Sequence, residues 1–253
     1  MERKRRNTRR RATEPEETRI EGTSGSSPWA LVIVFFFLAS VFLFLRSPFF
    51  SVKNYVINGA DRVSHDEIIA RCSQKSSNIF DFDLDKAEKT ILSSPWVKEV
   101  RCTRKLPDTI VIHIVERKPI AFAPVGSKIW LIDAEGRVLQ EDDGVFSDLV
   151  AFTGIQGMLA PGQFLGPEYE WGLKIISGLG PVSRDKVIEL NVEGDECTLV
   201  LDDGCVVFMG EYETNAEFRL DLLESIIIEL EEQGQLAEYI DLRFDKHAVK
   251  LRL

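Results

Sequence analysis

The chain has 253 residues, 44% hydrophobic and 28% charged, with 31 Lys and Arg against 41 Asp and Glu for a net charge of −10. That length suits one large domain or two small ones with appendages, and the modest content of Gly (17) and Pro (10) excludes collagen-like and low-complexity material. The acidic balance argues against a nucleic-acid coat, but it is unevenly spread: residues 1–28 carry +3, residues 46–119 carry +3, and residues 120–253 carry −16.

At the N-terminus, Arg3, Lys4, Arg5, Arg6, Arg9, Arg10, Arg11 and Arg19 precede a stretch from Gly22 to Leu45 that has no charged residue. As a helix, Trp29 to Leu45 would rise about 25 Å, near the short end of what spans a bilayer. The run is longer than the apolar region of a cleaved signal peptide and leaves through Arg46-Ser47-Pro48 with no small-residue cleavage pattern, so an uncleaved anchor is the better reading. Only Arg46 and Lys53 are basic just beyond it. The positive-inside rule therefore predicts a cytoplasmic tail over residues 1–28, a transmembrane helix over 29–46, and the rest of the chain on the far side of the membrane.

Next, Phe50–Asn58 reads as a strand ending in a turn at Gly59. Ser64 with Glu67 forms a capping box ahead of Ile68, Ile69 and Cys72 at helical spacing. A second helix fits Leu84–Leu92, stopped by Ser93-Ser94-Pro95, and two strands, Val97–Arg104 and Thr109–Arg117, follow around Leu106-Pro107-Asp108. This gives a small α+β unit of order β-α-α-β-β. Asp81-x-Asp83-x-Asp85 opens like a calcium loop, but Lys86 and Leu92 stand where that loop needs glycine and glutamate, so helix capping by Asp81 or Asp83 is the better account.

The remainder predicts a mixed sheet with flanking helices. Its strands are Ile129–Ile132, Val138–Gln140, Val187–Val192, Thr198–Leu201, Val206–Met209, Tyr239–Arg243 and Ala248–Leu253. One helix covers about Glu168–Leu179, and a longer one, Asn215–Gln233, has Phe218, Leu222, Leu223, Ile226, Ile227 and Leu230 along one face. Gly178-Leu179-Gly180 followed by Pro181 lacks the third glycine and the following helix of a dinucleotide-binding turn.

Candidate chemistry is sparse. The four cysteines allow three pairings. If the Asp202-Asp203-Gly204 turn makes a hairpin, Cys197 lies near Gly210 and out of reach of Cys205, leaving a Cys72–Cys102 disulfide or unpaired buried thiols. His65, His113 and His247 are scattered, no Cys/His cluster marks a metal site, and no motif marks a catalytic or cofactor site. The acidic excess of the last domain reads as a solvated surface, part of which could steer a basic partner segment.

These elements, in order, resemble the FtsQ/DivIB family of bacterial cell-division proteins over about residues 29–253. The fragments that carry the resemblance are Ile57-Asn58-Gly59, Ser94-Pro95-Trp96-Val97, Arg104-Lys105-Leu106-Pro107, and Glu116-Arg117-Lys118-Pro119. Two more are Leu131-Ile132-Asp133-Ala134-Glu135-Gly136-Arg137-Val138 and Tyr239-Ile240-Asp241-Leu242-Arg243-Phe244, where Phe244 stands in place of the family's Tyr. The resemblance implies a POTRA domain over 47–119 and an FtsQ-type β domain over 120–253. It also implies a non-enzymatic, single-pass inner-membrane scaffold at the division septum, without cofactor or nucleic acid, that binds FtsB/DivIC-like and FtsL-like partners.

A last strand has an open edge to which a partner strand can add. That reading places partner contacts at Arg243, Phe244, Lys246, Ala248, Val249, Lys250, Leu251 and Arg252. It assigns Asp241, Leu242, Pro95, Trp96, Val97, Glu116, Arg117 and Pro119 a structural role. Asp241 and Arg243, two apart on one strand face, suit buttressing of the final strands or contact with a partner. An anchored cell-wall hydrolase and a POTRA-type transport chaperone are the competing readings. The first lacks a nameable catalytic constellation and the second lacks repeated POTRA units.

Overall fold

The computed structural model describes residues 28–73, 78–142, 144, 146, 149–211, 216–244 and 246–252. The chain divides into two units, Met1–Ser47 and Pro48–Leu253. In the first, helix α1 runs Pro28–Leu45 without a charge, and its large side chains are exposed on every side. From Trp29 it rises about 25 Å against a hydrocarbon core of about 30 Å, and no helix among the described residues is long and apolar enough to cross a membrane. Residues 1–27 of the predicted tail, Asn215 at the predicted start of the long helix, and Leu253 at the end of the last strand lie outside the described residues.

The second unit opens with a 3-10 turn, Pro48–Phe50, so the strand predicted over Phe50–Asn58 is shortened to β1, Asn54–Asn58. Helix α2, His65–Cys72, starts where predicted, with Ser64 Oγ accepting the Glu67 N–H at 3.1 Å. The Glu67 carboxylate pairs forward with Arg71 at 2.9 Å. Helix α3, Leu84–Leu92, is capped by Asp83, which accepts the Lys86 N–H at 3.0 Å. Strands β2, Val97–Lys105, and β3, Thr109–Glu116, complete a three-stranded sheet of order β1-β3-β2 in which β1 runs parallel to β3. Alternation along β3 buries Ile110, Ile112 and Ile114 against Ile68, Cys72, Ala87 and Ile91.

The larger sheet has nine strands: β4 Pro119–Val125, β5 Lys128–Asp133, β6 Val138–Glu141, β7 Val150–Thr153, β8 Val187–Glu193, β9 Glu196–Leu201, β10 Val206–Glu211, β11 Ala237–Asp241 and β12 Ala248–Leu251. Their spatial order is β12-β11-β10-β9-β8-β7-β4-β5-β6, with parallel joins at β4/β7, β7/β8 and β10/β11. Parallel neighbours need crossovers, and helices α4 (Glu170–Gly178) and α6 (Ala216–Gln233) lie in the connections to β8 and β11. Trp171, Ile175, Ile176, Leu223 and Ile227 from these helices join Ala121, Phe152, Leu190, Leu199, Val207 and Ile240 in one core.

Strands β5 and β6 are buried on both faces. Trp130, Ile132 and Val138 face the helices, while Leu131 and Leu139 enter the core of the small sheet. The apolar run Trp130 to Ile132 on β5 is what a strand covered on both faces requires, while Ile129 before it is exposed.

Several expectations need correction. Strands β4 and β7 are additional to those read from the sequence. A six-residue helix, α5 (Pro181–Lys186), does follow Gly180, with Pro181 opening its first turn. On α6, Leu220, Leu223, Ile226 and Ile227 are buried, but Phe218, assigned to the apolar face, is 64% exposed, and Arg219 is buried beside it.

Candidate partner-binding edge

Among the described residues, β12 is the outermost strand at one end of the large sheet. It pairs antiparallel with β11, placing Ala248 opposite Asp241, Val249 opposite Ile240 and Lys250 opposite Tyr239. Val249 packs on the core, whereas Ala248, Lys250 and Leu251 are exposed. On its far side a row of backbone donors and acceptors faces away from β11, the arrangement that strand addition uses. The opposite end of the sheet is covered. Val138 N–H donates to the Gln163 carbonyl, Gly162 N–H to that of Val138, and Leu165 N–H to that of Gly136, each at 2.8 Å.

Arg243 and Phe244 follow the end of β11, in the connection to β12. The Asp241 carboxylate receives the Arg243 guanidinium at 3.0 and 2.8 Å and its backbone N–H at 3.1 Å. These bonds, the side-chain one foremost, hold the Asp241 carboxyl below its ordinary range. The guanidinium lies over Phe208 at 5.0 Å and near Phe244 at 5.5 Å. Phe208 packs edge-on against Tyr239, over which the Lys250 ammonium sits at 5.8 Å. Two cations thus bracket the Phe208–Tyr239 ring pair across β10, β11 and β12 on one face. Phe244 itself is 68% exposed. Lys246 and Arg252 are exposed, and Arg252 donates to the Asp203 carbonyl at 3.1 Å and, through its backbone, to Leu236 at 2.8 Å. Leu242 is buried, its N–H bonded to the Phe208 carbonyl at 2.9 Å.

Sequence reasoning missed Arg219. Its guanidinium donates to the Met209 carbonyl at 2.7 Å and to the Arg243 carbonyl at 3.5 Å, tying α6 to the ends of β10 and β11 behind the exposed Arg243. A single cation inside the apolar stripe of the long helix was the available signal, because a buried Arg must find acceptors.

The remaining motif residues gather elsewhere, where the two sheets meet. Trp96 Nε1–H donates to Gln140 Oε1 at 2.9 Å, and the Trp96 carbonyl accepts the Arg117 N–H at 2.8 Å. The Glu116 carboxylate accepts the backbone N–H groups of Arg62 and Val63 at 2.9 to 3.1 Å. Arg117 reaches Asp133 and Glu135, Pro119 opens β4 opposite Asp133, and Pro95 and the buried Val97 complete the turn between α3 and β2. The Arg62 guanidinium covers the rings of Trp96 at 5.1 Å and Phe146 at 4.4 Å.

All four cysteines are free and buried. Burial pushes the thiols of Cys72 and Cys205 up to about 11 and those of Cys102 and Cys197 to about 12. Cys197 lies opposite Gly210, as the hairpin reading expects.

Comparison with known proteins agrees with this architecture. Residues 50–117 match the POTRA domain, FtsQ-type, and residues 121–243 match the C-terminal domain of cell division protein FtsQ/DivIB. The chain is 27% identical over 205 residues to the cell division protein FtsQ of Myxococcus fulvus, covering 78% of this chain and 71% of that one. It is 31% identical over 183 residues to the FtsQ of Koribacter versatilis, covering 69% of this chain and 52% of that one. A third relative, the cell division protein DivIB of Clostridium tetani, is 34% identical over 119 residues, 46% of this chain and 44% of that one. The match thus spans about half of the latter two relatives. The major extracytoplasmic domain of DivIB from Geobacillus stearothermophilus aligns at 15% identity and a TM-score of 0.35, covering 46% of this chain and 96% of that one, and the assignment does not rest on it. With two FtsQ-type models matched in order across nearly all of the second unit, the chain belongs to the FtsQ/DivIB family of cell division proteins.

Proposed function

We propose that this protein is a non-enzymatic division scaffold with a cytoplasmic tail (1–28), a membrane anchor (29–46), a POTRA domain (47–119) and a β domain (120–253). In this reading FtsB/DivIC-like and FtsL-like bitopic partners at the septum bind through strand addition to β12. The observation that carries it is the position of β12: it is the outer strand of the large sheet and adjoins the exposed Arg243 and Phe244. The anchor reading is supported by a helix that is apolar on every face, preceded by eight basic residues.

Adjacent residues in a strand point their N–H groups to opposite sides. Of Val249→Pro and Lys250→Pro, one therefore removes only an outward donor and leaves the β11 pairing intact. The test is capture of a bitopic coiled-coil partner by the full-length chain in detergent, with thermal unfolding measured in parallel. The expected result is that the variant with unchanged unfolding loses capture. Capture by both variants at the original level would overturn the edge-addition reading.

A further inference from the structure

Three segments converge at one end of the small sheet, at the start of the second unit. The Ile79 N–H donates to the Phe50 carbonyl at 2.8 Å, and Ser51 bridges to Asn78. The N–H groups of Lys53 and Asn54 donate to the Asp108 carbonyl at 2.9 and 3.3 Å, which sets the chain entry against the β2–β3 turn. Arg104 closes the triangle, giving Nε–H to the Ile79 carbonyl at 2.8 Å and Nη2–H to that of Phe82 at 2.6 Å. These bonds fix the backbone from which three large apolar side chains emerge. Phe49 is 56% exposed, Phe80 43% and Leu106 57%. The rings of Phe49 and Phe80 each lie 5.1 Å from that of Phe50, which is buried between them.

We infer that this end of the domain is a membrane-contact surface on which Phe49, Phe80 and Leu106 enter the interfacial layer of the bilayer. The inference rests on the anchor reading. Three residues separate Leu45, the end of α1, from Phe49, so the chain's own reach holds Phe49 within about 14 Å of the end of that helix. Short apolar protrusions of Phe and Leu are suited to the headgroup boundary. The charges around them are mixed, with Lys53, Arg104 and Lys105 beside Asp81 and Asp108, so contact comes from apolar insertion and requires no anionic lipid. Lipid contact would fix the tilt of the domain over the membrane without a further protein.

The test uses the full-length chain in nanodiscs of zwitterionic lipid, with p-benzoylphenylalanine placed singly at Phe36, Phe80, Leu106 and Phe244. The expected result is lipid adducts at Phe36, and at Phe80 and Leu106 at least about tenfold above Phe244, which lies on the large sheet. Adducts at Phe36 with none at Phe80 and Leu106 would overturn the inference and leave the anchor standing. Loss of the Phe36 adduct would remove both. Crosslinks from Phe80 and Leu106 to a second copy of the chain, or lipid adducts at Phe244 equal to theirs, also overturn it.

Discussion

Arg117 Nη1 lies 2.5 Å from Asp133 Oδ2, a buried ion pair that crosses from the end of the small sheet into the first hairpin of the large one. Glu135 meets the same nitrogen and also holds Lys98 at 2.7 Å. Because Leu131 and Leu139 share the core of the small sheet, Pro48–Leu253 is expected to unfold in a single calorimetric transition. Arg117→Met leaves the Asp133 carboxylate buried with only the N–H groups of Glu135 and Arg137, at 2.9 and 2.8 Å. The expected cost is about 3 kcal/mol, since stranding one member of a buried pair is worth about 3–5 kcal/mol. Urea unfolding checks it, and a loss below about 1 kcal/mol would mean that the pair is solvated.

Stability should decline as the solution is acidified below about pH 4.5. The Glu135 carboxyl is held low by hydrogen bonds from Lys98 and then Arg117, and Asp241 by Arg243. Burial pushes Glu224 up, but the Ser183 and Val182 donors outweigh it and leave that carboxyl low. Each group sits lower folded than unfolded, so its stabilisation is complete above the ordinary carboxylate value and is lost as pH falls through the folded one. Glu224 accepts the N–H groups of Val182 and Ser183, each at 2.8 Å, in the first turn of α5. Glu224→Gln is expected to cost about 1 kcal/mol at pH 7 and to flatten the acid decline. Urea midpoints at pH 7 and pH 3 provide the comparison, and an unchanged slope in the variant would contradict it.

Thiol reactivity should be all or none. With the four cysteines buried and their thiols at about 11 to 12, Ellman's reagent at pH 8 is expected to find none in the native protein and all four in urea. Rapid titration of any thiol in the native state would contradict the packing described.

Two glycines separate strain from collision. At Gly59, φ is +81° and an added Cβ would lie 2.2 Å from the Ile114 carbonyl oxygen, whereas at Gly126, φ is +65° with nothing within 4 Å. Gly126→Ala should cost about 1 kcal/mol, the left-handed penalty alone, and Gly59→Ala at least about 3 kcal/mol because backbone must move as well. Equal losses would show that the turn after β1 yields freely.

The parts legible in the sequence were those governed by near neighbours. Ser64 and Asp83 cap as their spacing to Glu67 and Lys86 requires, and the Asp203-Gly204 turn sets the Cys197 register. Strand β4 was hidden by Pro119 and Pro124, which read as breakers although they sit near its two ends. Strand β7 has four residues and is defined by parallel partners far away in sequence, at Ala121 and Glu189. Helical periodicity placed Phe218 inward because it cannot distinguish the first turn of α6 from the sheet-facing turns; burial went to Arg219, which donates to the Met209 carbonyl on β10. The joint formed by Trp96, Gln140, Arg117 and Asp133 brings together fragments that no local pattern connects.

The strand order has a consequence for growth. One end of the large sheet is covered by the segment from Gly162 to Leu165, and among the described residues β12 is the outermost strand at the other end of that sheet. Two copies meeting edge to edge at β12 would use up both open edges and close into a pair, whereas a partner strand added there carries an outer edge of its own. In the strand-addition reading, the large sheet therefore offers a partner its β12 end, the other being covered.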